Sequence, residues 1–178
     1  MILEQRLLTQ RSRHHAEQIA SWVGRDRRRF RSLMSFFLAG DPLLAQKASW
    51  PVGICGDRYP DLLRPHLHRM LDRTRDPGMH DAVTRTVVRA LQTVPIPPGL
   101  QGEVAMACFG YLSDGTAPIA IKCCAMTVLR KIAEGRPELQ RELALVVRQQ
   151  LPLSSAGFRA RARQVLGSIG DEPGLASS

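Results

Sequence analysis

Histidine and cysteine are the side chains of this chain that could hold a metal ion, and their spacing argues against that chemistry. The sequence contains His14, His15, His66, His68, His80, Cys55, Cys108, Cys123 and Cys124. Side chains two residues apart on a helix point to nearly opposite sides, so His66 and His68 do not share one ligand position. No cysteine pair has C-x-x-C spacing. We expect no metal and no cofactor, and we interpret the cysteines as small, buried, reduced hydrophobic residues.

Carboxylates that perform acid–base catalysis converge from separate elements, and the acids of this chain are arranged differently. They lie mostly at predicted turns and helix starts: Asp41, Asp57, Asp61, Asp76, Asp81, Asp114 and Glu138. Helix capping and the helix dipole account for acids at such positions. The sequence also lacks G-x-S-x-G, H-E-x-x-H and G-x-G-x-x-G motifs. We therefore predict that the protein is not an enzyme.

A basic residue returns at intervals of 37 to 39 residues, early in four apolar helical stretches. Its members are Lys47, Arg85, Lys122 and Arg161. Each stretch follows a turn, and self-similarity at such a period indicates a stack of helical hairpins. The predicted hairpins cover residues 25–58, 59–96, 97–135 and 136–170. A cap helix at 1–24 precedes them, and the tail at 171–178 is predicted to be disordered.

Apolar residues at helical spacing mark the buried faces of these hairpins. The first helix of the first hairpin carries Phe30, Leu33, Met34 and Phe37. No segment alternates with a period of two, so we expect helices and no sheet. Pro51 removes a backbone donor from the next helix, where we expect a kink or an early end, with Trp50 packed as a bulky core residue. In the second hairpin, the first helix is predicted to include Asp61 and to carry Pro65 in its first turns.

Three segments resemble the HEAT-repeat pattern: DPLLAQKA at 41–48, VTRTVVRAL at 83–91 and AIKCCAMTVL at 120–129. The resemblance covers about residues 25–170. It implies an all-α fold, a right-handed α-α superhelix (solenoid) of about four HEAT-like hairpins behind the N-terminal cap helix. The whole chain also looks like a small bacterial HEAT-like group, and that likeness implies no activity.

In HEAT repeats, an acid in the turn of a hairpin and a basic residue on the following helix commonly bond between neighbouring repeats. The resemblance places Asp41, Asp76 and Asp114 at the acidic position. It places Lys47, Arg85, Lys122 and Arg161 at the basic one. It thus implies a structural inter-repeat ladder, although Ser155 departs from the pattern in the fourth hairpin. The alternative is a basic ridge presented to a ligand.

The net charge of +9 and the pI of about 10.4 favour phosphate backbones or acidic protein surfaces as partners. Arginines cluster near both ends of the predicted array. The candidates for anion or nucleic-acid binding are Arg11, Arg13, Arg25, Arg27, Arg28, Arg29, Arg31, Arg159 and Arg163. The same charge is also typical of a soluble basic protein whose arginines serve no partner.

The favoured function is a non-catalytic interaction module that binds a protein or peptide partner through a concave face lined by second helices. An acidic partner fits the charge. One alternative is contact with a nucleic-acid backbone through the arginines; another is a HEAT-like alkylpurine DNA glycosylase, with Trp22, Trp50 and Asp57 as its aromatic and acidic residues. No apolar run is long enough to span a bilayer, and the N-terminus lacks the pattern of a secretion signal. We expect a cytoplasmic protein with no membrane contact.

Overall fold

A computed structural model describes residues 3–9 and 12–170, which form ten α-helices and no strand. The helices are α1 (Leu3–Thr9), α2 (Arg13–Val23), α3 (Arg27–Leu38), α4 (Pro42–Arg58), α5 (Leu67–Arg73), α6 (Asp81–Thr93), α7 (Pro98–Ser113), α8 (Ile119–Ile132), α9 (Pro137–Gln150) and α10 (Ala156–Ser168). Short 3-10 helices lie at Pro60–Leu62, Arg64–His66 and Leu151–Leu153. The prediction of an all-α helical-repeat fold is confirmed. The tail at 171–178, predicted to be disordered, lies outside the described residues.

The chain divides into two compact units, Met1–Ile96 and Pro97–Ser178. In the first unit, the even-numbered helices α2, α4 and α6 pack side by side, and the odd-numbered α1 and α5 pack on α3. In the second unit, α8 packs on α10 and α7 packs on α9 in the same way. Each unit therefore has a layer of first helices and a layer of second helices, the arrangement of stacked hairpins. The division falls between the second and third predicted hairpins.

The segment predicted as one N-terminal cap helix contains two helices, α1 and α2. Ser12 begins the second of them, because its hydroxyl accepts a hydrogen bond from the backbone N–H of His15 at 3.1 Å. Helix α1 packs on α4 and α3, and α2 packs mainly on α4. The polar residues between them offer no apolar face that would favour one continuous helix.

At the start of α2, α3, α4, α6 and α10, a side chain satisfies backbone donors that the helix itself leaves unpaired. Asp26 accepts from the N–H groups of Arg28 and Arg29, at 2.7 and 3.1 Å. Ser155 caps α10 by accepting from the N–H of Phe158 at 3.2 Å. The predicted stripe on α3 is buried as expected: Phe30, Leu33, Met34 and Phe37 are each at most 1% exposed. Because these signals are local, the positions of α3 and α10 could be predicted from the sequence.

Of the two outcomes expected at Pro51, a kink or an early end of the helix, the structure excludes the early end. Helix α4 continues through Pro51 to Arg58, a length of 17 residues. Three neighbouring helices, α2, α3 and α6, pack around α4, and its residues Ala45, Ala48, Val52 and Cys55 are completely buried. Burial on this scale holds the helix together across the missing backbone donor, because tertiary packing outweighs local propensity.

The first helix of the second hairpin begins later than predicted. Asp61 and Pro65 lie in two short 3-10 helices, and the α-helix α5 starts only at Leu67. A proline at position 65 disfavours the α-conformation of Arg64 before it and supplies no N–H, so the regular helix forms after it.

His66, at the end of the second 3-10 helix, is half-buried with its ring packed edge-on against Phe30, at 5.8 Å between centroids. Burial, and then the positive charges of Arg69 and Arg31, lower the pKa of His66 below its ordinary value of 6.5. Below pH 6.5 the unfolded chain therefore binds this proton more readily than the folded protein does.

We expect His66 to make the protein less stable as the pH falls below 6.5, the ordinary pKa of histidine. Urea unfolding across that range, compared with His66→Gln, measures the effect. The variant should lose less stability on acidification than the wild type. At mildly alkaline pH, where the imidazole is neutral in both states, the difference between the two proteins reports packing alone. Equal slopes on the acid side would contradict the prediction.

None of the described helices has both the length and the apolar character needed to cross a membrane.

Candidate functional site

A groove of about 700 Å³ runs across the second helices of the first unit. Its wall on the N-terminal side comes from Leu7, Ser12, Arg13, His15, Ala16, Glu17 and Ile19. Its middle comes from Gln46, Lys47, Ser49, Trp50, Pro51, Gly53, Ile54, Asp57 and Arg58 of α4. The opposite wall comes from Ala82, Arg85, Thr86 and Arg89 of α6. The side-by-side packing of α2, α4 and α6 thus creates a concave surface of the kind in which ligands bind.

Helix α4 presents one continuous row of side chains to this groove. Lys47, Trp50, Ile54 and Asp57 follow each other at intervals of three or four residues, which places them on one helical face. The row exists because α4 does not end at Pro51. Trp50 is 46% exposed, so the prediction of a core tryptophan at this position was wrong.

Two contacts fix α6 against α4 along the groove. The hydroxyl of Thr86 donates to the backbone carbonyl of Ser49 at 3.2 Å. Farther along, Nη2 of Arg89 lies 2.5 Å from Oδ2 of Asp57, an ion pair between two partly exposed side chains. These contacts set the register in which Arg85, next to Thr86, lies across from the part of α4 that carries Trp50.

The groove is basic, with five basic side chains against two acidic ones when His15 is set aside. Three of the basic side chains are engaged. Arg13 pairs with Glu17 at 3.0 Å, Arg89 pairs with Asp57, and Arg58 donates to the hydroxyl of Ser21 at 3.2 Å.

Lys47 and Arg85 are the two groove cations that make no ion pair or hydrogen bond with the described part of the chain. Lys47 is half-buried and Arg85 is exposed. The positive charge that has no counter-charge is therefore concentrated at Lys47 on α4 and Arg85 on α6, in the part of the groove that contains Trp50.

The acidic residues of the predicted ladder bind within their own turns. Asp41 accepts from the N–H groups of Leu43 and Leu44, at 2.8 and 3.2 Å, and so caps α4. Asp114 accepts from the backbone N–H and the hydroxyl of Thr116, and these hydrogen bonds, the backbone one first, lower the pKa of Asp114.

The third ladder acid, Asp76, pairs with Arg73 three residues earlier. Asp41 stands at the start of α4 and faces N–H groups of that helix's first turn. Asp114 directly follows α7 and bonds within the turn that leads to α8.

Two of the four recurring basic residues do join different helices, through uncharged partners. Lys122 on α8 is 5% exposed and donates from Nζ to Oε1 of Gln150 at the end of α9, at 3.1 Å. Arg161 on α10 donates from Nη1 to the hydroxyl of Thr127 on α8, at 3.2 Å. The charge of Lys122 also helps to lower the pKa of Asp114, after the hydrogen bonds from Thr116. The recurring basic residues thus line the groove in the first unit and join helices in the second.

Some of the candidate anion-binding arginines are held by aromatic rings. The guanidinium of Arg29 lies 5.0 Å from the ring centroid of Trp22 and donates to the Trp22 carbonyl at 2.7 Å. Arg25 lies 5.2 Å from the ring centroid of Tyr59.

The other candidates are exposed on helices: Arg13, Arg27, Arg28, Arg31, Arg159 and Arg163. Arg159 donates to the carbonyl of Ser154. The exposed arginines of α3 belong to the first unit, whereas Arg159 and Arg163 belong to the second. Arg11 lies outside the described residues.

The residues of the glycosylase alternative are not brought together as a set. Trp50 and Asp57 both line the groove, and the Asp57 carboxylate is bound to Arg89. Trp22 is absent from the groove lining, and its ring carries the guanidinium groups of Arg6 and Arg29.

The four cysteines are free, and two of them are buried as predicted. Burial raises the pKa of both Cys55 and Cys108 to about 12, which keeps these thiols protonated and unreactive. Cys123 and Cys124 are only half-buried, so the expectation of burial was wrong for them.

Sequence reasoning did not identify the groove, although it named most of its key residues for other reasons. Lys47 and Arg85 were assigned to the ladder, and Trp50 to the core. The signal that could have found the site is the spacing of Lys47, Trp50, Ile54 and Asp57, which is visible once α4 is allowed to continue through Pro51.

A family model described as HEAT repeat domain matches residues 3–169 of the chain. No curated protein and no solved structure matches this chain.

Proposed function

Because this chain belongs to the HEAT repeat family, we propose that it is a non-catalytic interaction module that binds a protein or peptide partner in the groove across α2, α4 and α6. Helical repeats of this kind present extended concave surfaces, and binding there needs no catalytic group. We further propose that it acts in the cytoplasm, in keeping with its free cysteines.

The observation that carries the proposal is the position of Trp50. A 46% exposed tryptophan in the middle of a concave surface leaves a large apolar ring in water, and the half-buried Ile54 extends that apolar area along the same helical face. Tryptophan is among the residues that dominate the binding energy of protein interfaces, because its ring fills a pocket in the partner. The local ion pairs of the groove, Arg13–Glu17 and Arg89–Asp57, form a polar rim around it.

Selection of peptides from a random display library by the whole chain tests this function. Trp50→Ala should lower the affinity of the protein for the selected peptides by about 30-fold or more, the effect of losing a hot-spot residue worth about 2 kcal/mol. The variant should melt at nearly the wild-type temperature, because the ring is half exposed and alanine favours the helix.

Met106→Ala is the matched control, because Met106 is a 68% exposed apolar side chain on α7 that is not part of the groove lining. It should leave peptide affinity unchanged. A selection that yields no peptide, or peptides that bind Trp50→Ala as tightly as the wild type, would refute the proposed function.

A second candidate function, contact with a nucleic-acid backbone, is supported by the exposed Arg27, Arg28 and Arg31 near the start of α3. Exposed arginines on one helix can neutralise phosphates without reading the bases. Binding of this kind appears at low salt and weakens steeply as the salt concentration rises, so titration with duplex DNA distinguishes it from peptide binding.

A further inference from the structure

We propose, on the basis of the proposed function, that the partner segment is acidic and that Lys47 and Arg85 bind its carboxylates beside Trp50. The inference names the chemistry of the ligand and the two side chains that select it.

The first step is the distribution of charge in the groove. Arg13 and Arg89 already have carboxylate partners in Glu17 and Asp57, and Arg58 has a hydroxyl partner. Lys47 and Arg85 have no partner in the described chain, so an incoming carboxylate would not have to displace an existing one. The attraction for an acidic ligand is therefore concentrated at these two residues.

The second step is their placement. Lys47 lies one helical turn before Trp50 on α4, so both side chains lie on the same face. Arg85 precedes Thr86, whose hydroxyl is bonded to the carbonyl of Ser49, the residue next to Trp50. That hydrogen bond holds α6 in the register that brings Arg85 to the Trp50 part of the groove. An apolar anchor beside two cations fits a peptide in which an apolar side chain has acidic neighbours.

The third step is the choice between a peptide and a nucleic acid. A nucleic-acid backbone presents continuous negative charge, whereas this groove also exposes the carboxylates of Glu17 and Asp57. Its accessible apolar surface comes from the exposed Trp50 and the half-buried Ile54, which offer no phosphate contact. Discrete cations beside an apolar side chain match discrete acidic side chains better than a phosphate backbone.

The experiment uses the peptides that the whole chain itself selects from a random display library. We expect them to be enriched in aspartate and glutamate relative to the input library. Replacement of those acids by asparagine and glutamine should weaken binding by about tenfold, and so should Lys47→Met or Arg85→Met in the protein. Raising the salt concentration should lower the affinity of the acidic peptides and leave the amide versions nearly unchanged.

Arg130→Met is the matched control. It removes the same charge from an exposed position on α8 of the second unit, and we expect no change in affinity. Thermal melting of each variant confirms that it is folded.

The outcomes separate the inference from the proposed function. Selected peptides with no acidic enrichment, or affinities that neither amide replacement nor Lys47→Met changes, would overturn the inference while the Trp50→Ala result could still support peptide binding. Duplex DNA that binds more tightly than any selected peptide, and that is released by Lys47→Met and Arg85→Met, would overturn it in favour of a nucleic acid. A selection that yields no peptide would refute both the inference and the proposed function.

Discussion

Replacing Gly56 with alanine should lower the free energy of unfolding by about 2 kcal/mol, because the site has no room for a Cβ atom. A Cβ built on Gly56 would lie 2.3 Å from Cδ1 and 3.2 Å from Cγ of Leu63. Leu63 is 1% exposed, so its side chain is packed on all sides and cannot swing into solvent to make space. The clash outweighs the gain of about 0.5–1 kcal/mol that alanine usually brings to a helix in place of glycine.

Gly53→Ala, on the same helix, is the matched control for this prediction. The nearest atom to a Cβ at Gly53 is Cγ2 of Thr86, at 3.9 Å, which is an ordinary van der Waals contact. This variant should be more stable than the wild type by about 0.5–1 kcal/mol. Urea unfolding of both variants measures the difference. A Gly56→Ala protein as stable as Gly53→Ala would show that Leu63 repacks freely, and would contradict the prediction.

Replacing Asp76 with alanine should also destabilise the protein by about 2 kcal/mol, because it leaves a buried charge without its partner. The side chain of Arg73 is only 9% exposed, and its Nε and Nη2 atoms have no hydrogen-bond partner among the described residues. Asp76 supplies its ion pair from a side chain that is itself 44% exposed. The exposure of Asp76 lets water reach the pair, so we expect less than the 3–5 kcal/mol typical of breaking a fully buried one.

Arg73→Met tests the same pair from the other side. Methionine keeps much of the apolar stem and buries no charge, so it should destabilise the protein less than Asp76→Ala does. In the double variant, the loss of Asp76 should have little further effect, because no guanidinium remains to be left unpaired. Urea unfolding of the two single variants and the double variant completes the cycle. Additive losses would mean that the two side chains act independently, contrary to the expectation.

The amino-acid sequence determined the features of this protein that depend on neighbours along the chain. Asp26, Asp41 and Ser155 cap helices through N–H groups two or three residues away, so their role could be inferred without a structure. The apolar stripes of α3 and α6 follow from helical periodicity, and Phe37 and Leu91 are completely buried as that periodicity requires. The all-α class and the family resemblance follow from the same local patterns and their repetition.

Tertiary structure alone decided the course of α4 and therefore the candidate site. Proline disfavours the interior of a helix by local rules, and only the packing of α2, α3 and α6 around α4 keeps Pro51 within one. That continuity places Ile54 and Asp57 in line with Lys47 and Trp50 on the face that lines the groove.

The different roles of the four recurring basic residues could also not be predicted from the sequence. Lys47, Arg85, Lys122 and Arg161 occupy equivalent positions in the repeat, yet Lys122 is buried against Gln150 while Arg85 is exposed on the groove. Whether a charge is paired depends on which side chains of other helices come within hydrogen-bond distance. The spacing of residues along the chain does not reveal those distances. The sequence thus determined where the cations recur, and the packing of helices decided which of them remain available to a partner.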